Sequence, residues 1–373
     1  MKTIYLDYAA TTPVRKEALK AMMPYFSEEF GNPMSLHRMG AEAKAAVEKA
    51  RAAIAKTINA HSEEIVFTSG STESTNLAIK GVANARTGTG KHLMTTTSEH
   101  EAAFNAFKFL ETKGFTVTYL PVDIEGLVSV ADVRSKITPK TTLLSIQHSN
   151  GEIGTVQPAG DIARIAQEKG VLVHTDATFS YGMVPLDVKA MKVDLMTIDS
   201  HHIYGPKGVG ALYVKDGVTL EPLFNGKLED HGRRPGTQDV PGIVGFAAAA
   251  ELAAKEMKKE SKRETKLRNL FINHIEDNVK FVKFNGHLKR RLPNSINFSF
   301  DGIVGADIVK GLEKHGILTT TCANCRILEA IGVRSQKLTG SVRLTLGRYT
   351  TEKDVRFSMK MLQKVVEDAR KKY

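Results

Sequence analysis

Residues 171–214 read VLVHTDATFSYGMVPLDVKAMKVDLMTIDSHHIYGPKGVGALYV, and three short apolar runs stand out in them: VLVHTD at 171–176, DLMTID at 194–199 and GALYV at 210–214. Each has strand length and is bounded by turn-forming residues. Upstream, similar runs recur as IVFTS at 65–69, HLMTTT at 92–97, TVTYL at 116–120 and LLSIQ at 143–147, alternating with longer helical patterns. Runs apolar enough to be covered on both faces, in this rhythm, predict an α/β fold: a mainly parallel sheet with helices on either side. Ligands of such sheets sit beyond the carboxyl ends of the strands, so the chemistry is expected there.

From Pro241 a long helical pattern runs to about Asn278, followed by LPNSINFSF at 292–300, a helix near Ala306–His315 and a last helix from Glu352. This final third reads as a smaller α+β domain joined through the long helix. The expected division is a large domain over 14–255 and a small one made of 1–13 and 256–373. Internal repeats and low-complexity linkers are absent.

The chain has 373 residues, of which 42% are hydrophobic and 25% charged, enough to bury a large core. Its start, MKTIYLDYAATTP, lacks a basic-then-apolar leader pattern, and no apolar run is long enough to span a bilayer, so a cytoplasmic protein without membrane attachment is expected. Cys322 and Cys325 are its only cysteines, which excludes a disulfide framework and concentrates any thiol role at one place. The net charge of +11 raises nucleic acid as a partner. Much of the excess lies in KEMKKESKRETKLR at 255–268, where acids and bases interleave at helical spacing, and no nucleic-acid motif accompanies it. A solvated helix face is the better reading.

ThrSerGlySerThrGluSerThrAsn at 68–76 follows a strand and opens a helix, and its glycine, hydroxyls and free N–H groups suit a phosphate, although Ser and Thr cap helices commonly. Asp176 ends a strand, where a buried carboxylate needs a cation or a strong donor. A protonated pyridine nitrogen would serve, or the residue caps the helix that follows.

Set in order, LeuAspTyrAlaAlaThrThrPro (6–13), GlyAsnProMetSerLeuHis (31–37), PheThrSerGlySerThrGluSerThrAsnLeuAlaIleLysGly (67–81), GluIleGlyThrValGlnPro (152–158), HisThrAspAla (174–177), IleTyrGlyProLysGlyValGlyAlaLeuTyrVal (203–214), ArgArgProGlyThr (233–237), LeuProAsnSerIleAsn (292–297) and ArgLeuThrLeuGlyArgTyrThrThr (343–351) resemble the cysteine desulfurases, class V aminotransferases, over essentially the whole chain. The resemblance implies the aspartate-aminotransferase-like fold, pyridoxal phosphate as cofactor, and a homodimer with sites near the subunit interface. It further implies that Thr72 and Thr237 reach the phosphate, the latter in the partner subunit, that His100 stacks on the cofactor ring, and that Asp176 pairs with the pyridine nitrogen. His201 corresponds to the histidine before the cofactor's lysine, Asn150 and Arg343 to the pair that holds the substrate carboxylate, and Cys325 to the persulfide-forming cysteine.

The departures fall at the chemical centre. Where the family reads Ser-x-His-Lys, this chain reads AspSerHisHis at 199–202, so His202 stands at the lysine position. Imidazole cannot form a Schiff base with the cofactor aldehyde. Asp199 replaces a phosphate-binding serine and sets a negative charge against a dianion. Phe179 replaces a glutamine, Gly151 replaces an asparagine, and the loop between Cys325 and Gly332 is shorter than the family's. Lys207, in the GlyProLysGly turn, has a family counterpart of its own and reads as structural.

Three readings follow. The first is a desulfurase homologue without lysine chemistry that acts through Cys325 as a partner of an iron–sulfur scaffold or sulfur acceptor. In the second, zinc or an iron–sulfur cluster is held by Cys322 and Cys325, with His100, Asp199, His201 and His202 as further ligands, or the two thiols form a redox pair. The third is an active desulfurase with pyridoxal phosphate bound non-covalently.

Overall fold

The structure, a computed structural model, describes residues 3–227, 229–321, 325–333 and 340–371. Strands are numbered β1 (Ile4–Tyr5), β2 (Ile65–Thr68), β3 (His92–Thr96), β4 (Thr116–Leu120), β5 (Thr141–Gln147), β6 (Leu172–Asp176), β7 (Leu195–Asp199), β8 (Gly210–Val214), β9 (Val282–Phe284), β10 (Ser295–Phe300), β11 (Ile317–Leu318) and β12 (Ser341–Thr345). Each run singled out in the sequence between residues 65 and 214 is a strand of a seven-stranded sheet, ordered β2-β8-β7-β6-β5-β3-β4.

Successive residues of these strands face opposite ways, as a pleated strand requires. Val66, Leu93, Leu143, Leu195 and Leu212 pack into one apolar cluster, while their neighbours Phe67, Met94, Leu144, Met196 and Ala211 pack into another on the far face. Burial on both sides explains why the runs read as continuously apolar. From β4 to β7 the pairing is parallel, whereas β8 runs antiparallel to β7 and β2. The reversal comes from the short segment between β7 and β8, a 3-10 turn at His201–Ile203 followed by Tyr204 at φ 67° and Gly208 at φ 84°. A parallel return needs a crossover of a dozen or more residues, and this link is too short for one.

The helix Val240–Asn278 starts on Asp239, whose side chain accepts from Gly242 N–H. Its basic stretch divides as expected of a helix face. Lys255, Lys258 and Lys259 are exposed, while Glu264, Leu267 and Arg268 are buried. Beyond it, β9, β10 and β12 form a three-stranded antiparallel sheet, and β1 pairs with β11. Ile4 and Leu6 share an apolar cluster with Phe298, Ile317 and Val342, so the N-terminal strand packs with the last third of the chain. This routes residues 7–12 past the end of β7, which sets up the site. Among the described residues no helix is long and apolar enough to cross a membrane.

Candidate functional site

The parallel strands β5, β6 and β7 end on Gln147, Asp176 and Asp199, and the register places Gln147 opposite Asp176 and Asp176 opposite Thr197. A buried hydrogen-bonded row fixes these ends: Ser145 Oγ lies 2.8 Å from His174 Nδ1, His174 Nε2 3.0 Å from Thr197 Oγ1, and Thr75 Oγ1 3.2 Å from Thr197 Oγ1. Burial lowers the His174 pKa to about 3, which keeps the ring neutral. The row also holds the helix Ser71–Asn76 against β7, with Gly70 at φ 140° making the turn before it.

Asp199 is fully buried and faces two imidazoles. Its oxygens lie 3.0 Å from His202 Nδ1 and 3.2 Å from His201 Nε2. The outer nitrogens reach the N-terminal segment: His202 Nε2 is 3.1 Å from the Ala9 carbonyl oxygen, and His201 Nδ1 is 3.2 Å from Thr11 Oγ1. Thr12 Oγ1 donates to the His201 carbonyl at 2.6 Å. Burial alone would raise the Asp199 carboxyl, but the charge and hydrogen bonds of His202 and His201 outweigh it and hold the group well below the usual carboxylate range. Burial likewise opposes a charged His202 ring, yet Asp199 raises its pKa above the ordinary imidazole value. Each member of the pair thus favours the charged form of the other.

Burial raises the Asp176 carboxyl, opposed by hydrogen bonds from Thr178 and by the charge of His100, while Asp199 adds to the rise. His100 is exposed at the start of the helix Glu101–Glu111, where its Nδ1 accepts from Ala102 N–H at 3.2 Å. Phe179 lies edge-on to His202 with ring centroids 4.9 Å apart, and its ring covers Gly151. Nearby Glu99 is fully buried, and burial pushes its pKa up to about 8 against hydrogen bonds from Thr96 and Gln147.

The other expected residues are spread around this centre. Thr72 is exposed on the first turn after Gly70, and Thr237 is exposed beside Ser69 and Gly208. Asn150 is buried and commits its side chain to the fold: its amide donates to Ser98 O at 3.1 Å, and its oxygen accepts from Glu152 and Ile153 N–H at 2.9 and 3.0 Å. Arg343 is ion-paired to Glu152 at 2.7 Å and Asp7 at 3.0 Å. Glu152 joins the two: its carboxylate pairs with Arg343 and its backbone N–H donates to Asn150. Lys207 is exposed, with its ammonium 3.4 Å from the Thr12 carbonyl oxygen.

Cys322 lies outside the described residues, and of Cys325 only the backbone is described, opening the helix Cys325–Ala330. That helix is anchored close to His100: Arg326 pairs with Glu101 and stacks on Phe104 at 3.6 Å, and Ile327, Leu328 and Ile331 pack with Ile153.

A model of the family described as aminotransferase class-V matches residues 4–357. The chain belongs to that family. The cysteine desulfurase IscS of Dictyoglomus turgidum is 45% identical over 377 residues, covering 99% of this chain and 96% of that protein. IscS of Methanosarcina thermophila is 42% identical and covers 99% and 93%. Among solved structures, a NifS-like protein superimposes with a TM-score of 0.94 at 36% identity, covering 98% of this chain and all of that one. SspA in complex with cysteine gives a TM-score of 0.83 at 36% identity over 94% of this chain. These matches bear out the expected α/β fold and the resemblance to cysteine desulfurases.

The family's cofactor is pyridoxal phosphate, and the residues present can be weighed against it. Gly70, the helix start after it and Asp176 are of the kind it uses. Among the described residues, however, no lysine contacts Asp176, Asp199, His201 or His202, and the position of the cofactor's lysine is a ring engaged at both nitrogens. A buried carboxylate stands where a phosphate donor is expected, and Phe179 leans over His202. This donor set does not fit a lysine-linked cofactor. Sequence reasoning missed the acceptors at Ala9 and Thr11 and the partners of Arg343, Asp7 and Glu152. The conspicuous LeuAspTyrAlaAlaThrThr segment was the available signal for all but Glu152.

Proposed function

We propose that this chain is a cysteine-desulfurase homologue of sulfur or iron–sulfur metabolism in which lysine-dependent catalysis is lost, and that it serves as a sulfur- or cluster-assembly partner through Cys325. One observation carries the reading: His202 is held at both nitrogens, by Asp199 and by the Ala9 carbonyl, with no amine beside it among the described residues. The relatives are named for an enzyme that acts on cysteine, and His202 stands where the resemblance implies the lysine on which that chemistry turns. Packing of Arg326, Ile327, Leu328 and Ile331 against Glu101, Phe104 and Ile153 ties the helix Cys325–Ala330 to the large sheet's side of the pocket, in keeping with that reading. In this reading the molecule is a homodimer with a large domain over 14–255 and a small one from 1–13 and 256–373.

The test is sulfide release from cysteine by the purified protein with added pyridoxal phosphate. The reading expects background rates, unchanged in Cys325→Ser. Turnover well above background that disappears in Cys325→Ser would overturn it. A direct readout of the proposed role is sulfur transfer: radiolabelled persulfide loaded by an active desulfurase should appear on this chain and be lost in Cys325→Ser.

A further inference from the structure

We propose that Asp199, His201 and His202 form a binding site for one divalent transition-metal ion of borderline softness, zinc or ferrous iron, at the end of β7.

Tautomer arithmetic makes the case. The Ala9 carbonyl can only accept, so the His202 nitrogen 3.1 Å from it, Nε2, carries a hydrogen. In the neutral ring the lone pair is then on Nδ1, which points at both oxygens of the Asp199 carboxylate at 3.0 Å. Two acceptors at that distance repel unless something positive lies between them, either a proton or a metal ion. His201 repeats the pattern, with Nε2 at 3.2 Å from Asp199 and Nδ1 beside Thr11 Oγ1, which can accept from it.

The geometry suits an ion. One donor atom from each residue lies within 4.8 Å of the others, with the two nearest separations at 3.0 and 3.2 Å. Donors around a tetrahedral ion with bonds of about 2.0–2.1 Å are roughly 3.3–3.4 Å apart, so small rotations suffice. Metal-binding histidines commonly donate their second N–H to a carbonyl or other oxygen that fixes the ring, and here Ala9 and Thr11 supply both partners. Two imidazoles and one carboxylate with positions left open suit zinc or ferrous iron rather than magnesium or calcium, which prefer oxygen donors. Charge points the same way. Relative to its family the pocket has exchanged an ammonium for an imidazole and a hydroxyl for a carboxylate, while Asp176 remains buried close by. A pocket suited to an anion has become one whose buried carboxylates favour a positive charge among them. On binding, the ion takes the position between Asp199 and the two ring nitrogens, and any proton it displaces there leaves to solvent.

This inference rests on the reading that no lysine-linked cofactor fills the pocket, and the experiment separates the two. Full-length protein is stripped with a chelator and titrated anaerobically with Co(II), with d–d absorbance and bound metal per chain as readouts. The expected result is one Co(II) per chain, bound at least tenfold more weakly by Asp199→Asn and by His201→Gln and unchanged in Cys322→Ser/Cys325→Ser. Circular dichroism on each variant confirms folding, and the less buried His201 provides the milder substitution. Absence of Co(II) from the folded wild type, or binding equal in wild type and both ligand variants, overturns the proposal. So does a sulfur-to-metal charge-transfer band abolished by the double serine variant, which would put the ion on the thiols. A visible pyridoxal–lysine band in the same preparation defeats the reading beneath it, whereas neither band nor metal defeats this inference alone.

Discussion

The ring of Phe179 occupies the space that a side chain on residue 151 would need: a β-carbon on Gly151 would stand 2.4 Å from Phe179 Cζ. The two positions that the sequence resemblance sets apart, 151 and 179, are therefore coupled in space, and Phe179 puts an aromatic edge against His202 at 4.9 Å.

The coupling is measurable. Gly151→Asn should destabilise the protein by about 1–3 kcal/mol through overpacking. Combined with Phe179→Gln, most of that loss should be recovered, giving strong non-additivity in a double-mutant cycle by denaturant unfolding. Additive effects would mean that the two positions are independent.

Restoring the lysine alone should not restore cofactor chemistry. In His202→Lys the new ammonium would lie beside the Asp199 carboxylate, whose opposite charge favours the protonated amine and leaves little of it free to react. No band near roughly 400 nm is expected with added pyridoxal phosphate, a position typical of the lysine-linked chromophore. The triple variant His202→Lys/Asp199→Ser/Phe179→Gln should gain it. Absorbance spectra of the two proteins decide the matter.

Arg343 is expected to matter for stability. Its guanidinium balances Asp7 and Glu152, whose side chains are 19% and 12% exposed, and Arg343→Met leaves both carboxylates without it. A loss of about 3–5 kcal/mol is expected from breaking mostly buried pairs, read as a lower unfolding midpoint.

Glu264 gives a pH signature. It is buried in the long helix, with Arg263 at 3.7 Å, Glu260 on the same helix, and Tyr8 and Tyr204 facing it from other segments. Burial pushes its pKa from 4.5 up to about 8. Between those values the unfolded chain ionises the group while the folded chain keeps it protonated, so the folded state binds more protons and loses stability as pH rises. Glu264→Gln should therefore match the wild type near pH 4 and exceed it by a few kcal/mol near pH 8, since each pH unit crossed in that window costs the wild type on the order of 1.4 kcal/mol. Equal pH profiles of unfolding would refute this.

Much of the fold was legible because β2, β3 and β5 to β8 are mostly buried on both faces and carry apolar runs that survive without context. The antiparallel placement of β8 was not, since GALYV would look the same in either direction and only the short link after Asp199 decides it. At the site, residue identities spoke first: His202 and Asp199 could be singled out from the motif they interrupt. Their meeting with Ala9 and Thr11 joins segments nearly two hundred residues apart, and no periodicity encodes such a contact. Asn150 also holds the turn at Glu152 and Ile153, a structural task that its residue type alone does not announce.

The most direct test is the intact mass of the native protein after incubation with pyridoxal phosphate and reduction with borohydride, followed by peptide mapping. With His202 locked between Asp199 and Ala9 and no amine beside it among the described residues, the mass should stay that of the unmodified chain. A pyridoxyl group fixed stoichiometrically on a single lysine would contradict the account.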